Sequence, residues 1–248
     1  AYMFELRLRE IYRYLGFRGT EPPADTVKRI QQCVDRMYAA MTLRTTHRKF
    51  PVSVKKPDTV EIAGLTIHSR NLCKNLAGCD QAYMFAATVG VGIDRLIKRG
   101  EIGGMIDALI YQAAGAEMIE AYADELNGAL RRTEAKRGRR LRPRFSPGYG
   151  DVPLALQKDF SRILELPKTC GITLTDTLLM VPSKSVTAFI GCTKKFDTET
   201  EDAFLADVAN PLDATGKSAA EASGTDTVSG ERENKCRRCT KNDCQFRN

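Results

Sequence analysis

Arg144-Phe145-Ser146-Pro147-Gly148-Tyr149-Gly150-Asp151 gathers residue types that suit the binding of a small charged molecule. A guanidinium offers a planar fork that fits a carboxylate. Pro-Gly is a turn signal, and the glycines at 148 and 150 let the backbone approach a ligand closely. Tyr149 adds a ring and a hydroxyl. A carboxylate fork, a bare backbone and an aromatic together suit a zwitterionic ligand with a flat part. The competing reading is a surface turn with a solvated arginine, and spacing alone does not decide between the two.

The other chemistry-bearing set lies at the opposite end of the sequence. Cys236, Cys239 and Cys244 have the spacing C-x2-C-x4-C, and two thiolates separated by two residues can grip one metal from a tight turn. Lys235, Arg237, Arg238 and Lys241 flank them, lowering thiolate pKa values and offsetting the charge of a thiolate site. Three of the eight cysteines crowd into this tail, and the chain is too long for a disulfide-stapled miniprotein, which favours metal. The fourth ligand is expected to be Cys192, just past the last strand, with Cys73 and Cys79 as alternatives. Structural zinc, an iron–sulfur cluster and no metal at all remain open, because spacing does not separate them.

The elements that position the loop read as follows. Helices are expected over Glu5–Leu15 and Asp25–Met41, the latter with Ile30, Cys33, Val34 and Met37 on one face. Val60–Ile67 reads as a strand or hairpin around Gly64, and Ser69 caps a short helix to Leu76. Tyr83–Val89 reads as a buried strand and Gly92–Lys98 as a short helix. The longest helical pattern runs from Met105 to Leu130, with Met105, Leu109, Gln112, Ala116, Ile119, Ala123, Leu126 and Leu130 at helical spacing. Glu117, Glu120 and Asp124 form a second line on it, which pattern alone reads as a solvated face. A helix over Leu154–Leu164 precedes a Thr-, Val- and Ile-rich segment, Ile172–Ile190, which Pro182 divides into two strands.

These elements give an α+β fold: a mixed or antiparallel sheet packed with one long helix. Four regions are expected: an N-terminal helical portion (1–60), a ligand-binding domain (61–192), a flexible linker (193–234) and the cysteine-rich tail (235–248).

The chain has 248 residues and 42% hydrophobic content, normal for a water-soluble protein with a buried core. Its longest uncharged apolar stretch, Ala82–Ile93, is too short to span a bilayer, and the first residues lack a signal-peptide core. A cytoplasmic protein with no membrane partner is expected. The net charge is +7, much of it between Arg131 and Arg144. No aromatics interleave with those arginines before Phe145, so a nucleic-acid platform is not expected. They read as a solvated helix end, or as a surface for an acidic partner protein. Neither a G-x-G-x-x-G nor a Walker motif is present.

The Arg144 loop resembles the Arg-x-x-x-Gly-Tyr loop of the reactivation domain of cobalamin-dependent methionine synthase, which binds S-adenosylmethionine in that family. The resemblance continues through Gly171-Ile172-Thr173-Leu174-Thr175-Asp176-Thr177 and Met180-Val181-Pro182-Ser183-Lys184-Ser185-Val186, and upstream through Met118–Leu126. It covers roughly Leu76 to Cys192, and the chain looks like the free-standing members found in anaerobes. The resemblance implies reductive reactivation of a corrinoid protein, such as a methionine synthase lacking its own activation domain. Cobalt is reduced by one electron from a flavodoxin- or ferredoxin-type donor and methylated by S-adenosylmethionine.

By the same resemblance, Arg144 takes the methionine carboxylate, and the backbone of Phe145, Ser146 and Gly148 holds the adenosyl part. Tyr149 is the catalytic-site residue packing toward the corrin, and Glu120 favours the positively charged ligand. The cobalamin would be held by the partner, since neither His47 nor His68 lies in an Asp-x-His-x-x-Gly motif. Two family features are absent: a Tyr-Tyr pair, where Phe196-Asp197-Thr198-Glu199 stands, and an acidic residue before the loop, where Arg137-Gly138-Arg139 stands. The alternative is a non-catalytic module that docks corrinoid or other acidic proteins and carries a metal tail.

Elemental analysis of anaerobically purified protein should find zinc or iron at about one site per chain, as a three-cysteine cluster requires. Metal-free protein of unchanged stability would contradict a metal tail.

Overall fold

The computed structural model describes residues 4–17 and 19–194, within one compact unit that ends at Lys195. Two helices come first, α1 (Leu8–Tyr14) and α2 (Ala24–Ala40). Strands β1 (Arg44–Lys55), β2 (Thr59–Ile62) and β3 (Leu65–His68) follow, then α3 (Arg70–Asn75) and β4 (Gln81–Thr88). A helical pair comes next, α4 (Val91–Gly103) and α5 (Met105–Ala135), then β5 (Arg139–Leu141). The remaining elements are α6 (Leu156–Ile163), α7 (Leu166–Thr169), β6 (Thr173–Leu174), β7 (Met180–Val181) and β8 (Ser185–Lys194).

Six strands form one sheet in the order β3-β2-β1-β4-β8-β5, with every neighbouring pair antiparallel. The small pair β6-β7 stands apart. This is the expected α+β fold in its antiparallel form. Strand β4 sits between β1 and β8 and is buried on both faces, so its sequence is a continuous apolar run rather than an alternation. Tyr83, Phe85 and Ala87 face a core built with α2, α4 and α5, while Ala82, Met84 and Ala86 face a second core that includes Leu72, Phe160 and Phe189. The helix-side face of α2 is the expected one: Ile30, Cys33, Val34 and Met37 are all buried. Ser69 caps α3 as expected, accepting from the Leu72 amide.

Two expectations are corrected. Residues 44–55, placed in a helical N-terminal portion, form β1, which pairs with β4 across eight residues. Arg44, Arg48 and Lys49 hide the strand by breaking its apolar alternation, and the pairing with β4 overrides that pattern. Along α5 the apolar line is not one buried stripe. Met105 and Leu109 are more than half exposed, whereas Ile110, Ala114, Met118 and Tyr122 are buried. The middle of α5 is enclosed by α1, α2, α4 and the sheet, so it buries more than one face. At Gly100 the α4–α5 approach leaves no room for a side chain: a Cβ would lie 2.7 Å from the Ala108 amide nitrogen.

Glu134, fully buried near the C-terminal end of α5, ties that helix to three strands. Its carboxylate accepts from Lys49 Nζ of β1 (2.9 Å), Tyr83 Oη of β4 (2.7 Å) and Cys192 Sγ of β8 (3.3 Å), and from Arg137 (3.0 Å). Burial opposes the charge, but the bonds from Lys49, Tyr83 and Cys192 overcome it and hold the carboxyl at about 2, below its ordinary 4.5. A carboxyl whose folded pKa is depressed contributes stability that is complete above the unfolded value and lost as pH falls through the folded one. The contribution of Glu134 should therefore fade between 4.5 and about 2. Glu134→Ala should destabilise the protein by about 3–5 kcal/mol, because Lys49 loses its buried counter-charge. Urea midpoints should fall more steeply across that acid range in wild type than in Glu134→Gln; parallel curves would contradict the assignment.

Candidate functional site

Phe145 follows β5 and exchanges two backbone hydrogen bonds with Phe189 of β8, at 2.9 and 2.8 Å. This bridge fixes which way the neighbouring side chains point. The Phe145 ring packs against the core that contains Phe160 and Phe189. Arg144, one residue earlier, projects to the opposite face, where α5 runs. There its Nη2 donates to Glu120 Oε2 at 2.8 Å and lies 3.0 Å from Asp124 Oδ1. The structure thus brings together Arg144 and Glu120, two residues expected separately in the site, and adds Asp124.

The acidic line of α5 is not the solvated face that pattern alone suggested. Glu117 is buried and pairs with Arg7, whose Nε and Nη2 reach its two oxygens at 2.7 and 2.8 Å. Arg7 immediately precedes α1, so the N-terminal helix is fastened to α5 one turn before the Arg144 contact. Arg144 is itself largely buried, and burial pulls its guanidinium below the ordinary value despite Glu120. It remains charged. Its Nη1 is buried and has no acceptor among the described residues. A buried N–H without a partner costs about 1–3 kcal/mol, so this atom is a donor for which the described residues supply no acceptor.

After Phe145 the chain turns. Gly148 N–H donates to Val152 O (2.9 Å) and Tyr149 N–H to Ser146 O (3.2 Å). The amides of Phe145 and Gly148 are therefore bonded within the protein. Tyr149 is 69% exposed, with its ring open to solvent.

Asp151 anchors the turn to the sheet's second face. It accepts from Ser69 Oγ and from the backbone amides of Arg70 (2.7 Å) and Asn71 (3.2 Å) at the start of α3. Burial works against its charge, but these bonds outweigh it and pull the carboxyl below its usual range. Gly150 sits at φ +56°, in the left-handed region that favours glycine, and a Cβ there would have to displace the Asn71 side chain.

Asp124 and Asp151 are the site residues to which sequence reasoning gave no role. The i+4 step from Glu120 carried the signal for Asp124. For Asp151 it was an anion opposite a helix start.

The basic run from Arg131 to Arg144 is divided between surface and fold: Arg131, Arg132, Lys136 and Arg137 are exposed, whereas Arg139 and Arg144 are turned into ion pairs. Arg132 pairs with Glu125, Arg137 with Glu134, Arg139 with Asp80 and Arg144 with Glu120 and Asp124. Its first half is thus the solvated helix end expected from the sequence.

Cys192 lies inside β8 rather than past the last strand. It is fully buried, donates to Glu134, and accepts from Arg139 Nε at 3.2 Å; burial pushes its thiol up. Metal ligation by Cys192 would have to break both bonds. Cys73 and Cys79 are also buried, and among the described residues no three His, Cys, Asp or Glu side chains are grouped as a metal site needs. Cys236, Cys239 and Cys244, the linker beyond residue 194 and the Phe196–Glu199 departure lie outside the described residues. Among the described residues no helix is long and apolar enough to cross a membrane.

Residues 72–197, which hold the Arg144 loop, α5 and β8, match the family described as vitamin B12 dependent methionine synthase, activation domain. The chain belongs to that family. The activation domain's fold is also found in a crystal structure of the MetH reactivation domain bound to AdoHcy. That likeness has a TM-score of 0.57 at 17% identity and covers 77% of this chain and 76% of the other. No curated protein sequence matches the chain.

Proposed function

We propose that this activation domain binds S-adenosylmethionine at Arg144 and uses it to reactivate a corrinoid protein held by a separate partner. The observation that carries the reading is the buried Arg144, paired on one nitrogen with α5 carboxylates and unpaired on the other, in a loop of the activation-domain type. The AdoHcy in the related crystal structure supports the same ligand class. S-adenosylmethionine supplies a methyl cation which, with one electron from a flavodoxin- or ferredoxin-type donor, converts inert Co(II) of the partner's cobalamin to its methylated form.

The protein's own residues bind and orient. Arg144 Nη1 donates to the ligand's carboxylate, and a small shift of the covering side chains admits it. Glu120, held beside Arg144, accepts from the ligand's ammonium group. The turn from Phe145 to Gly148, including Ser146, lies along the adenosyl part. Tyr149, exposed on that turn, offers an apolar ring to the arriving corrin. The Phe145–Phe189 bridge and the Asp151 anchor keep these groups in register, and orientation of this kind is the main service a protein renders in a transfer between two bound partners. The reaction belongs in the cytoplasm, where reduced electron carriers are found.

Arg144→Ala should weaken S-adenosylmethionine binding by about 1.5–3 kcal/mol, as expected for a charged hydrogen bond. Arg144→Lys should rescue only part of the loss, because a single ammonium lacks the planar fork that holds the α5 carboxylates with one nitrogen and presents another to the ligand. Calorimetry reads both. Mixing wild type with a Co(II) corrinoid protein, a reductant and S-adenosylmethionine should restore the methylated absorption spectrum, and the Ala variant should do so slowly. A wild type that docks the corrinoid protein but neither binds S-adenosylmethionine nor restores the spectrum would establish the docking-module alternative instead.

A further inference from the structure

Helix α5 and the segment that leads into Arg144 run side by side in opposite directions. Glu134 Oε2 lies 3.7 Å from Arg139 Nε, and Asp124 Oδ1 lies 3.0 Å from Arg144 Nη2. Ten helical residues rise about 15 Å and five extended residues span about 17 Å, so the two stretches keep pace. Asn127 lies between these two contacts, seven residues from Glu120 and seven from Glu134. Seven residues are close to two helical turns, so Asn127 stands on the same line of α5 as both carboxylates and faces the same segment. Its Oδ1 is buried and receives no hydrogen bond among the described residues. Arg144 Nη1, a donor, is buried without an acceptor among them. One site therefore holds a buried acceptor and a buried donor, both unfilled, and the two do not satisfy each other. An unfilled buried polar atom costs about 1–3 kcal/mol, and leucine would occupy nearly the same volume as Asn127 without that cost.

We infer that Asn127 is a further binding residue of this site, whose side-chain oxygen accepts a hydrogen bond from the α-ammonium of the ligand's amino acid end; the inference rests on the ligand proposed above. An α-amino acid carries its ammonium and carboxylate on one carbon, so the groups that receive them must stand a few ångströms apart. Asn127 is three residues past Asp124, a rise of about 4.5 Å along the helix, and Asp124 already touches Arg144. That spacing lets one ligand carbon serve both unfilled atoms, its carboxylate on Arg144 Nη1 and its ammonium on Asn127 Oδ1. An ammonium has three N–H donors, and Glu120 takes only one of them. Asn127 supplies a second acceptor that is neutral, so it adds a bond without competing with Glu120 for the guanidinium. The consequence is specificity. A ligand that lacks the ammonium leaves Oδ1 buried and unfilled, and a site built around a polar group discriminates strongly against the analogue without it.

The test compares two ligands by calorimetry on the full chain: S-adenosylhomocysteine and its analogue lacking the α-amino group. Wild type should bind the first at least about tenfold more tightly. Asn127→Leu should weaken S-adenosylhomocysteine about tenfold and the analogue by less than about twofold, as loss of one hydrogen bond to a charged group implies. Asn127→Asp keeps an acceptor in the same place and should keep the discrimination. Without ligand, the Leu variant should have a urea midpoint no lower than that of wild type, because the oxygen it loses has no partner inside the protein. Equal weakening of both ligands, or no weakening of either, would overturn the inference and leave Asn127 a packing residue. A Leu variant that fails to fold or is markedly less stable would overturn it as well, since the oxygen would then be bonded within the fold. A wild type that binds S-adenosylhomocysteine through Arg144 with an affinity independent of Asn127 overturns this inference alone. A wild type that binds neither ligand overturns the ligand reading, and the role of Asn127 with it.

Discussion

The exchange of two backbone hydrogen bonds between Phe145 and Phe189 is the contact on which the arrangement of the site depends. Arg142 N–H already donates to Gly191 O at 2.8 Å, but only the Phe145 bridge carries the pairing past Arg144 itself. With it, the segment is pinned to a central strand, and the alternation of side chains across a sheet divides its residues between two faces. Phe145 is committed to one core, and Arg144 to the helix on the other side. The Asp151 contacts at the start of α3 hold the far end of the same turn. A stretch of eight residues is thereby fixed at both ends by parts of the chain distant in sequence.

Helix α5 supplies the complementary half. Its carboxylates are used at successive levels along its length: Glu117 for α1, Glu120 and Asp124 for Arg144, and Glu134 for β1, β4 and β8. Each level opposes a cation from a different element. The helix therefore sets the distance between the N-terminal segment, the ligand loop and the sheet. Ion pairs on an exposed surface contribute little, but Glu117 and Glu134 are buried, and losing one partner leaves an uncompensated charge in the interior.

Much of this could be read from the sequence. The hydrophobic face of α2, the Ser69 cap, the buried β4 and the break at Pro182 all followed from periodicity or turn chemistry. What could not be read were features that need a partner from elsewhere in the chain. Strand β1 carries cations that disguise it until β4 is laid beside it. The roles of Arg139 and Arg144 within the basic run were hidden because their counter-charges, Asp80 and Glu120, are remote in sequence. Cys192 looked free because nothing in its neighbourhood announced Glu134. In each case a local pattern was correct about residue type and silent about the contact that determines its role.

The account's central claim is that Arg144, held by the Phe145–Phe189 bridge, receives a carboxylate on its unpaired nitrogen. A crystal structure of the chain with S-adenosylhomocysteine tests this most directly. The account predicts ligand carboxylate oxygens within hydrogen-bond distance of Arg144 Nη1, with both Phe145–Phe189 bonds intact and Glu120 still beside the guanidinium. Ligand density remote from Arg144, or a bound state in which the bridge is broken and Arg144 points away from α5, would contradict it.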